Sequence, residues 1–498
     1  MDGNFEWKTI SCLDRALHQV QNGEQTLEIK LQEGMPDVGQ VISVWGQPVL
    51  RSKEWRDEQV HFSGGMMVWV LYEPEDGSEV QWVQGWIPFQ MRWELPDNTP
   101  EGTLRLRCLT RFVDGRSTSP RKILVRAGMA VMAEAFAPKE LSVAQPKQRP
   151  EEVAFLENTY PVRLVKEAGE KIFSVEEELY LPDSAPKMEQ IVSWRLYPKI
   201  TDQRVLTDKA VLRGSGNLHV LYQSDAGQIH SWDFEVPFSQ YTDLRGEYGS
   251  EARMDVAVMP TSLELELREN GNLDLRGGMT AQYLITDKEL LTLVEDAYSP
   301  NWDMTVKREN LEVPVVLENR KENLYGELTI SVPADVTVDV QFLPDFPRQR
   351  RTENGLELEY PGQFQVLCYG ENGRIQSATV RWEGKQTLPA DGNTQIFAVP
   401  MGSEAQALIG NGRIQVKAEL PVELTAVAQQ SIPMVTGVEL GQAKQPDPNR
   451  PSLILRRAGD CCLWDIAKAT GSTMEAICRV NGLAGEPAPE QMLLIPVP

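Results

Sequence analysis

Residues 66–77 of this 498-residue chain, MMVWVLYEPEDG, decide its fold class. Val68, Val70 and Tyr72 occupy alternate positions, and this period of two is typical of a β-strand with one buried face. Residues 75–77, EDG, follow the strand, and glycine supplies the positive φ that tight hairpin turns require. The stretch therefore predicts the first strand and the turn of a β-hairpin.

The same signature recurs along the chain. Residues 220–222 repeat the VLY of residues 70–72 at an offset of 150 positions, and matches at this offset extend from Leu31 to Met129. A fainter third copy surrounds Tyr369, which stands 297 positions after Tyr72. Its first strand carries alternating Phe364, Val366 and Cys368. Identities spread over a hundred residues at one offset indicate tandem repeats of one structural unit.

Three hairpin-forming units predict a mainly β fold, with tandem antiparallel β-sandwich-like repeat modules and a small C-terminal βααβ domain. Boundaries are expected where the composition changes, most clearly at a linker with three prolines. The predicted units are an N-terminal segment (1–28), module 1 (29–143), module 2 (151–298), a divergent module 3 (316–440), a Pro-rich linker (441–452) and the C-terminal domain (453–498).

Tryptophans crowd the first module. Trp82 recurs as Trp232, and this recurrence predicts that both belong to the core. Trp69 lies on the opposite strand face from Val68 and Val70. Two interpretations stay open for Trp69: an exposed anchor for a partner, or a strand with both faces buried against a neighbouring module.

Composition excludes several classes of function. The chain has 49 Lys and Arg against 72 Asp and Glu, a net charge of −23, so it lacks the basic surface that binds nucleic acid. It shows neither a secretory signal nor an apolar stretch long enough to span a membrane. We therefore expect a cytoplasmic protein. Its six cysteines are too few for a disulfide scaffold and are expected to be free thiols.

The C-terminal 46 residues change from strand to helix patterns. Asp460 is expected to cap the first helix and Gly471 to end it, and residues 472–475, STME, form a predicted capping box for the second helix. Residues 453–455 and 492–496 are predicted strands. The expected core consists of Leu463, Trp464, Ile466, Ile477, Leu483 and Leu494.

Four segments of this domain resemble the LysM family: residues 459–460 (GD), 463–467 (LWDIA), 481–483 (NGL) and 494–496 (LIP). The resemblance implies a shallow groove for N-acetylglucosamine-containing glycans such as peptidoglycan. Its lining would be Gly459, Asp460, Cys461, Cys462, Leu463, Asn481, Gly482 and Leu483, supported by Trp464, Ile466 and Ile477. The family's usual Gly-Asp-Thr-Leu-Trp is Gly-Asp-Cys-Cys-Leu-Trp here, one residue longer and without the hydroxyl. The groove could therefore hold a glycan or contact a protein.

The repeated modules carry a second resemblance. The blocks 36–48 and 186–198, the VLY hairpins and residues 237–240 resemble SPOCS domains of endospore-forming bacteria, and SPOCS modules followed by LysM occur in spore-envelope morphogenetic proteins. The resemblance implies a non-catalytic coat and cortex assembly adaptor in the mother-cell cytoplasm, on the forespore surface. Its implied partner is the coat-basement ATPase (SpoIVA-like), which it contacts partly through LysM. The alternative is a peptidoglycan-binding protein.

The sequence predicts no catalytic residue, metal site or cofactor. Its four histidines lack the partner spacing of a metal site, and three sulfurs, Cys461, Cys462 and Cys478, are one ligand short of a typical zinc site. Residues 214–216, GSG, lack the rest of a phosphate-binding loop and are interpreted as a turn. His219 takes the place of Trp69 in the second copy, which favours a surface or packing role.

Overall fold

The computed structural model describes residues 5–353, 355–389, 392–410, 413–445 and 450–497. These residues form antiparallel sheets and two short helices, so the predicted mainly β fold is confirmed. Neither helix of the described residues is long and apolar enough to cross a membrane.

Module 1 begins and ends with a long strand. The two long strands pair from Phe5↔Pro146 to Lys30↔Lys122, and a three-stranded sheet of order β2-β3-β4 lies between them in sequence. Residues 5–28, which the sequence placed before this module, therefore lie in its first long strand. The strands are β1 (Phe5–Lys30), β2 (Val38–Arg56), β3 (Gln59–Pro74), β4 (Gln81–Glu94), β5 (Thr103–Ser119) and β6 (Lys122–Pro146).

Module 2 repeats this order, with its long strands paired from Ala154↔Tyr298 to Leu179↔Leu273. One pair, Leu13↔Val165, joins the two modules into a six-stranded sheet of order β11-β12-β7-β1-β6-β5. The strands of module 2 are β7 (Ala154–Leu179), β8 (Met188–Val205), β9 (Lys209–Ser224), β10 (Ile229–Asp243), β11 (Arg253–Leu267) and β12 (Leu273–Tyr298).

Module 3 keeps the long antiparallel pair, from Trp302↔Ala443 to Ile330↔Ile414, but two of its other strands are divided. Both β14 and β15 pair with β16, and both β18 and β19 pair with β20. The strands are β13 (Trp302–Ile330), β14 (Val336–Pro344), β15 (Arg348–Thr352), β16 (Gly355–Tyr369), β17 (Ile375–Leu388), β18 (Thr394–Pro400), β19 (Glu404–Gly410) and β20 (Arg413–Ala443). Of the predicted linker, residues 446–449 lie outside the described residues.

The three predicted hairpin turns are present. Gly77, Gly227 and Gly373 have φ of 72°, 76° and 69°, values that side chains other than glycine rarely adopt. The predicted turn at residues 214–216 is wrong, because this segment lies inside β9. A Cβ on Gly214 would come within 2.3 Å of the Lys199 carbonyl oxygen and 2.6 Å of the Phe238 ring, so close packing explains the glycine.

The hairpin sheets of the three modules pack against one another. Trp69 is 2% exposed, and its ring centroid lies 5.5 Å from that of Trp194 in module 2. Of the two interpretations, burial of both strand faces is therefore correct. The prediction that Trp82 and Trp232 belong to the core is wrong for Trp232, which is 37% exposed on an outer strand, whereas the half-buried Trp82 packs against the core.

The C-terminal domain has the predicted order of strand, helix, helix and strand, although three local details differ. Cys462, not Asp460, precedes the first helix, and Thr473, not Ser472, caps the second through a bond to the Ala476 amide. The Ser472 hydroxyl instead donates to the Pro496 carbonyl. Leu494 is 38% exposed, and its neighbours Leu493 and Ile495 are buried in its place. The elements are β21 (Leu453–Arg457), α1 (Leu463–Thr470), α2 (Met474–Asn481) and β22 (Met492–Pro496).

Candidate functional site

The implied groove lies where the loop before α1 meets the loop after α2. Asp460, Cys461, Cys462 and Gly482 are exposed, Gly459, Asn481 and Leu483 are half-buried, and Leu463 is buried. Hydrogen bonds join the two loops. The Leu463 amide donates to Glu486 Oε2 over 2.8 Å, and the Gly459 amide donates to the Pro489 carbonyl over 2.9 Å. Sequence reasoning missed Glu486, which places a carboxylate at the first turn of α1.

The Asn481 side chain forms hydrogen bonds within the domain. Its Nδ2 donates to the carbonyls of Ile477 and Leu494, at 2.8 and 2.6 Å, and its Oδ1 accepts from the Leu494 amide at 2.8 Å. These bonds tie the end of α2 to β22. The arrangement gives Asn481 a structural role, because both hydrogens of its amide nitrogen and one lone pair of its amide oxygen are already used within the domain.

The adjacent cysteines have separate partners. Cys461 Sγ accepts from Arg456 Nη2 at 3.6 Å, whereas Cys462 Sγ donates to Asp465 Oδ2 at 3.2 Å. Partial burial and the Asp465 carboxylate raise the pKa of the Cys462 thiol above its ordinary value. Cys478 packs against the core of the domain. Within the part of the chain that the structure describes, no three His, Cys, Asp or Glu side chains are grouped as metal ligands.

The other side of the C-terminal domain packs against modules 2 and 3, and this contact is here named the seat. Trp464, expected as a core support, is buried at this seat: its Nε1 donates to Asp296 Oδ2 over 2.9 Å, and its ring lies edge-on to Tyr298 at 4.8 Å. The Tyr298 hydroxyl also donates to the Ser472 carbonyl over 2.9 Å. Ile466 and Ile477 are fully buried in the same cluster, as expected of supports. Asp296 and Tyr298 lie at the end of β12, and no local pattern marks them.

Asp296 is the charged centre of this seat. It accepts from Lys468 Nζ at 2.6 Å and from Arg308 Nη2 at 2.5 Å, in addition to Trp464. Burial alone would raise the pKa of Asp296, but these hydrogen bonds hold that pKa below its ordinary value. The carboxylate is therefore ionised at neutral pH and binds the domain through charge-assisted bonds.

The two-stranded sheet of the domain leaves one apolar face uncovered. Ile454, Leu493 and Ile495 point towards the helices and belong to the core. On the opposite face, Leu453, Leu455, Met492 and Leu494, here named the outer strand face, are 50, 64, 51 and 38% exposed, and the exposed Arg457 borders them opposite Met492. Because the seat lies on another side, the outer strand face is accessible in the complete chain.

Ionisable side chains also converge beside a cleft of about 620 Å³ between β1, β13, β18 and β20. Glu134 lies 3.3 Å from Arg15 Nη2 and 3.2 Å from His18 Nδ1, and Asp14 accepts from Lys139 at 2.6 Å. Burial opposes ionisation of Glu134, but Arg15 and its other cationic neighbours hold the pKa of Glu134 well below its usual range. These charges belong to β1 and β6 and neutralise one another within module 1.

The comparison with curated proteins gave no match, and neither did the comparison with solved structures. One family model does match. Residues 187–266, from the start of β8 to the end of β11, match the family described as "SipL, SPOCS domain". This segment includes the second VLY hairpin and the sheet that packs against Trp69. This part of module 2 is therefore similar to a SPOCS domain.

Proposed function

We propose that this protein is a non-catalytic adaptor of spore-envelope assembly. It acts in the mother cell on the forespore surface and binds the coat-basement ATPase partly through its C-terminal LysM-like domain. The SPOCS match supports a role in sporulation. The observation that carries the adaptor role is the accessible outer strand face on a domain seated against the modules.

The outer strand face suits contact with a protein. Leu455 and Leu494 are a direct cross-strand pair, and Leu453 and Met492 extend the same apolar surface along β21 and β22. Exposed apolar side chains grouped on one face are typical of interaction sites, since their burial in a partner is favourable. The seat limits the movement of this surface and so reduces the entropy lost on binding.

The alternative is a glycan in the groove, and the structure favours it less. The Leu463 amide is already bonded to Glu486, and the Asn481 amide group is bonded within the domain. A sugar acetamido group would have to displace these bonds to use the same atoms. We therefore rank protein contact above glycan binding.

Capture of the purified coat-basement ATPase on immobilised full-length chain tests the proposal. Leu455→Glu places a charge in the outer strand face, and we expect at least about tenfold weaker capture, ~1.4 kcal/mol. Leu408→Glu is the matched control, because Leu408 is 61% exposed on module 3. A chain ending at residue 445 should also lose capture. If Leu455→Glu and the shortened chain both captured as much ATPase as the wild type, the C-terminal domain would be excluded from the contact.

Sedimentation with purified cell wall or chitin tests the alternative on the same proteins. The adaptor proposal expects the full-length chain to stay in the supernatant. Retention in the pellet that is unchanged by Leu455→Glu, together with no capture of the ATPase, would favour glycan binding.

A further inference from the structure

A buried polar cluster joins all three modules at a place remote from the C-terminal domain. Its centre is Asp339 of β14, whose side chain is 2% exposed. Asp339 Oδ2 accepts from Trp45 Nε1 of β2 at 2.9 Å, and both of its carboxylate oxygens accept from Arg195 Nη2 of β8 at 2.9 Å. One carboxylate thereby contacts module 1 and module 2 from within module 3.

His219 of β9 lies at the rim of this cluster, between two carboxylates. Its Nδ1 is 2.9 Å from Asp233 Oδ1 on β10, and its Nε2 is 3.1 Å from Asp339 Oδ1. A neutral imidazole with its lone pair on Nδ1 would point that lone pair at the Asp233 oxygen, and a proton on Nδ1 avoids this repulsion. A second proton, on Nε2, gives the ring a positive charge 3.1 Å from the Asp339 carboxylate, an attraction between charges without the geometry of a hydrogen bond.

Charge balance leads to the same protonation state. With a neutral His219, one guanidinium, Arg195, faces two carboxylates, Asp233 and Asp339. With a protonated ring, two positive charges face two negative charges. Asp339 cannot gain compensation from water because it is buried, so the charge on His219 matters to the contact between modules 2 and 3.

We propose that His219 is a pH-sensitive clasp between modules 2 and 3, which holds Asp339 when protonated and loosens the module contact when neutral. This inference is independent of the proposed adaptor function. It concerns how firmly module 2 is held, whatever partner the chain binds.

The groups that face His219 determine the direction of the pH effect. Asp233 and Asp339 favour its charge and Arg195 opposes it. The Tyr197 hydroxyl, which accepts from Gln341 at 2.7 Å, interacts with Arg195 and Asp339 of the same cluster. Burial would lower the pKa of His219, but Asp339 and Asp233 outweigh burial and raise that pKa above its ordinary value. Its contribution to stability is therefore complete below about pH 6.5 and is lost as pH rises through the raised pKa.

Histidine titration by NMR on the full-length chain tests the clasp. The imidazole Cε1–H signal that is missing in His219→Gln is assigned to His219. We expect this signal to titrate with a midpoint above about pH 6.5. Asp233→Asn removes the exposed carboxylate, leaves Asp339 in place, and should shift the midpoint downwards by about one pH unit. A wild-type midpoint at or below 6.5, or no shift in Asp233→Asn, would overturn the proposal.

Hydrogen exchange of the β14 amides provides the second measurement. After correction for intrinsic rates, protection in the wild type should fall by up to about tenfold between pH 6 and pH 9. In His219→Gln the change should be largely absent. His61→Gln is the matched control, since His61 lies on β3 of module 1, and it should keep the wild-type profile. An unaltered pH dependence in His219→Gln would contradict the clasp.

Discussion

At the scale of single residues, this molecule depends on side chains whose partners are distant in sequence. Asp296 meets Trp464 across 168 positions, and Asp339 meets Trp45 across 294. Both carboxylates accept hydrogen bonds from several charged or indole donors. Such contacts are strong, and the loss of either carboxylate is costly. A change at Asp339 leaves two buried donors, Trp45 and Arg195, without this partner, and a change at Asp296 leaves one, the Trp464 indole.

Gly214 provides a prediction at this scale. Gly214→Ala should destabilise the chain by about 1–3 kcal/mol, because the new Cβ would collide with backbone at the Lys199 carbonyl and with the Phe238 ring. Chemical denaturation followed by fluorescence measures the change. Gly249→Ala is the control in the same module, where a Cβ meets nothing within 4 Å. Equal stabilities for the two variants would contradict the packing explanation.

At the scale of elements, register decides which residues are buried. The predicted return strand, residues 492–496, is confirmed, but its buried residues are Leu493 and Ile495 instead of Leu494. Successive side chains of a strand point to opposite faces, so an error of one residue exchanges core and surface. The error at α2 is also one residue, because the hydroxyl of Ser472 bonds to β22 and leaves capping to Thr473.

Two adjacent leucines test this register. Leu493→Ala should cost about 2–5 kcal/mol of the stability of the C-terminal domain, since it removes a fully buried side chain. Leu494→Ala should cost less than about 1 kcal/mol, because its side chain is 38% exposed. Amide exchange in α1 and α2 of the full-length chain measures both losses of stability. A larger loss for Leu494→Ala would show that the strand has the opposite register.

At the scale of the whole molecule, buried charges hold the modules together. Arg105 of module 1 pairs with Asp255 of module 2, and Arg107 Nη2 lies 3.0 Å from Glu423 of module 3. With the cluster around Asp339, these ion pairs connect every module to the other two. Buried pairs are costly to break singly, so they favour one arrangement of the modules over others.

Acid should therefore weaken the contact between modules. Burial opposes ionisation of Asp339, but Arg195 and His219 hold the pKa of Asp339 well below its usual range. A carboxyl group with a lowered pKa contributes stability that is present above about pH 4 and is lost as pH falls through the folded-state pKa. At pH 7, Asp339→Asn should cost about 3–5 kcal/mol.

Denaturation at several pH values measures this effect. The difference between wild type and Asp339→Asn should shrink as pH falls below about 4, because the Asp339 carboxyl group of the unfolded chain then takes up a proton while that of the folded chain stays charged. Asp335→Asn, at an exposed position just before the same strand, should follow the wild type throughout. A difference that is constant with pH would mean that the charge of Asp339 is not what stabilises the contact.

The seat of the C-terminal domain gives a further prediction. Asp296→Asn keeps the size of the side chain but removes its charge, so it should weaken the seat by about 1–2 kcal/mol. Faster amide exchange in α1, without a change in β3, would report this release. The neighbouring exposed Asp303 is the control, and Asp303→Asn should leave exchange in α1 unchanged.

Much of the local structure follows from the sequence. The alternation at residues 68–72 and the glycines at 77, 227 and 373 predicted hairpins that are present, because strand periodicity and turn geometry depend on neighbouring residues only. Gly471 likewise ends α1 where expected. The groove itself stays a prediction, and within it the structural use of Asn481 and the presence of Glu486 were not foreseen.

Tertiary structure alone decided what those elements touch. Trp69 could have faced solvent or a neighbouring module, and the packing of three sheets buried it. The meeting of Asp296 with Trp464, and of His219 with Asp339, joins segments that share no local pattern. Period and turn chemistry act over a few residues, but contacts between modules depend on how whole sheets fill space and neutralise charge, which no short stretch of sequence encodes.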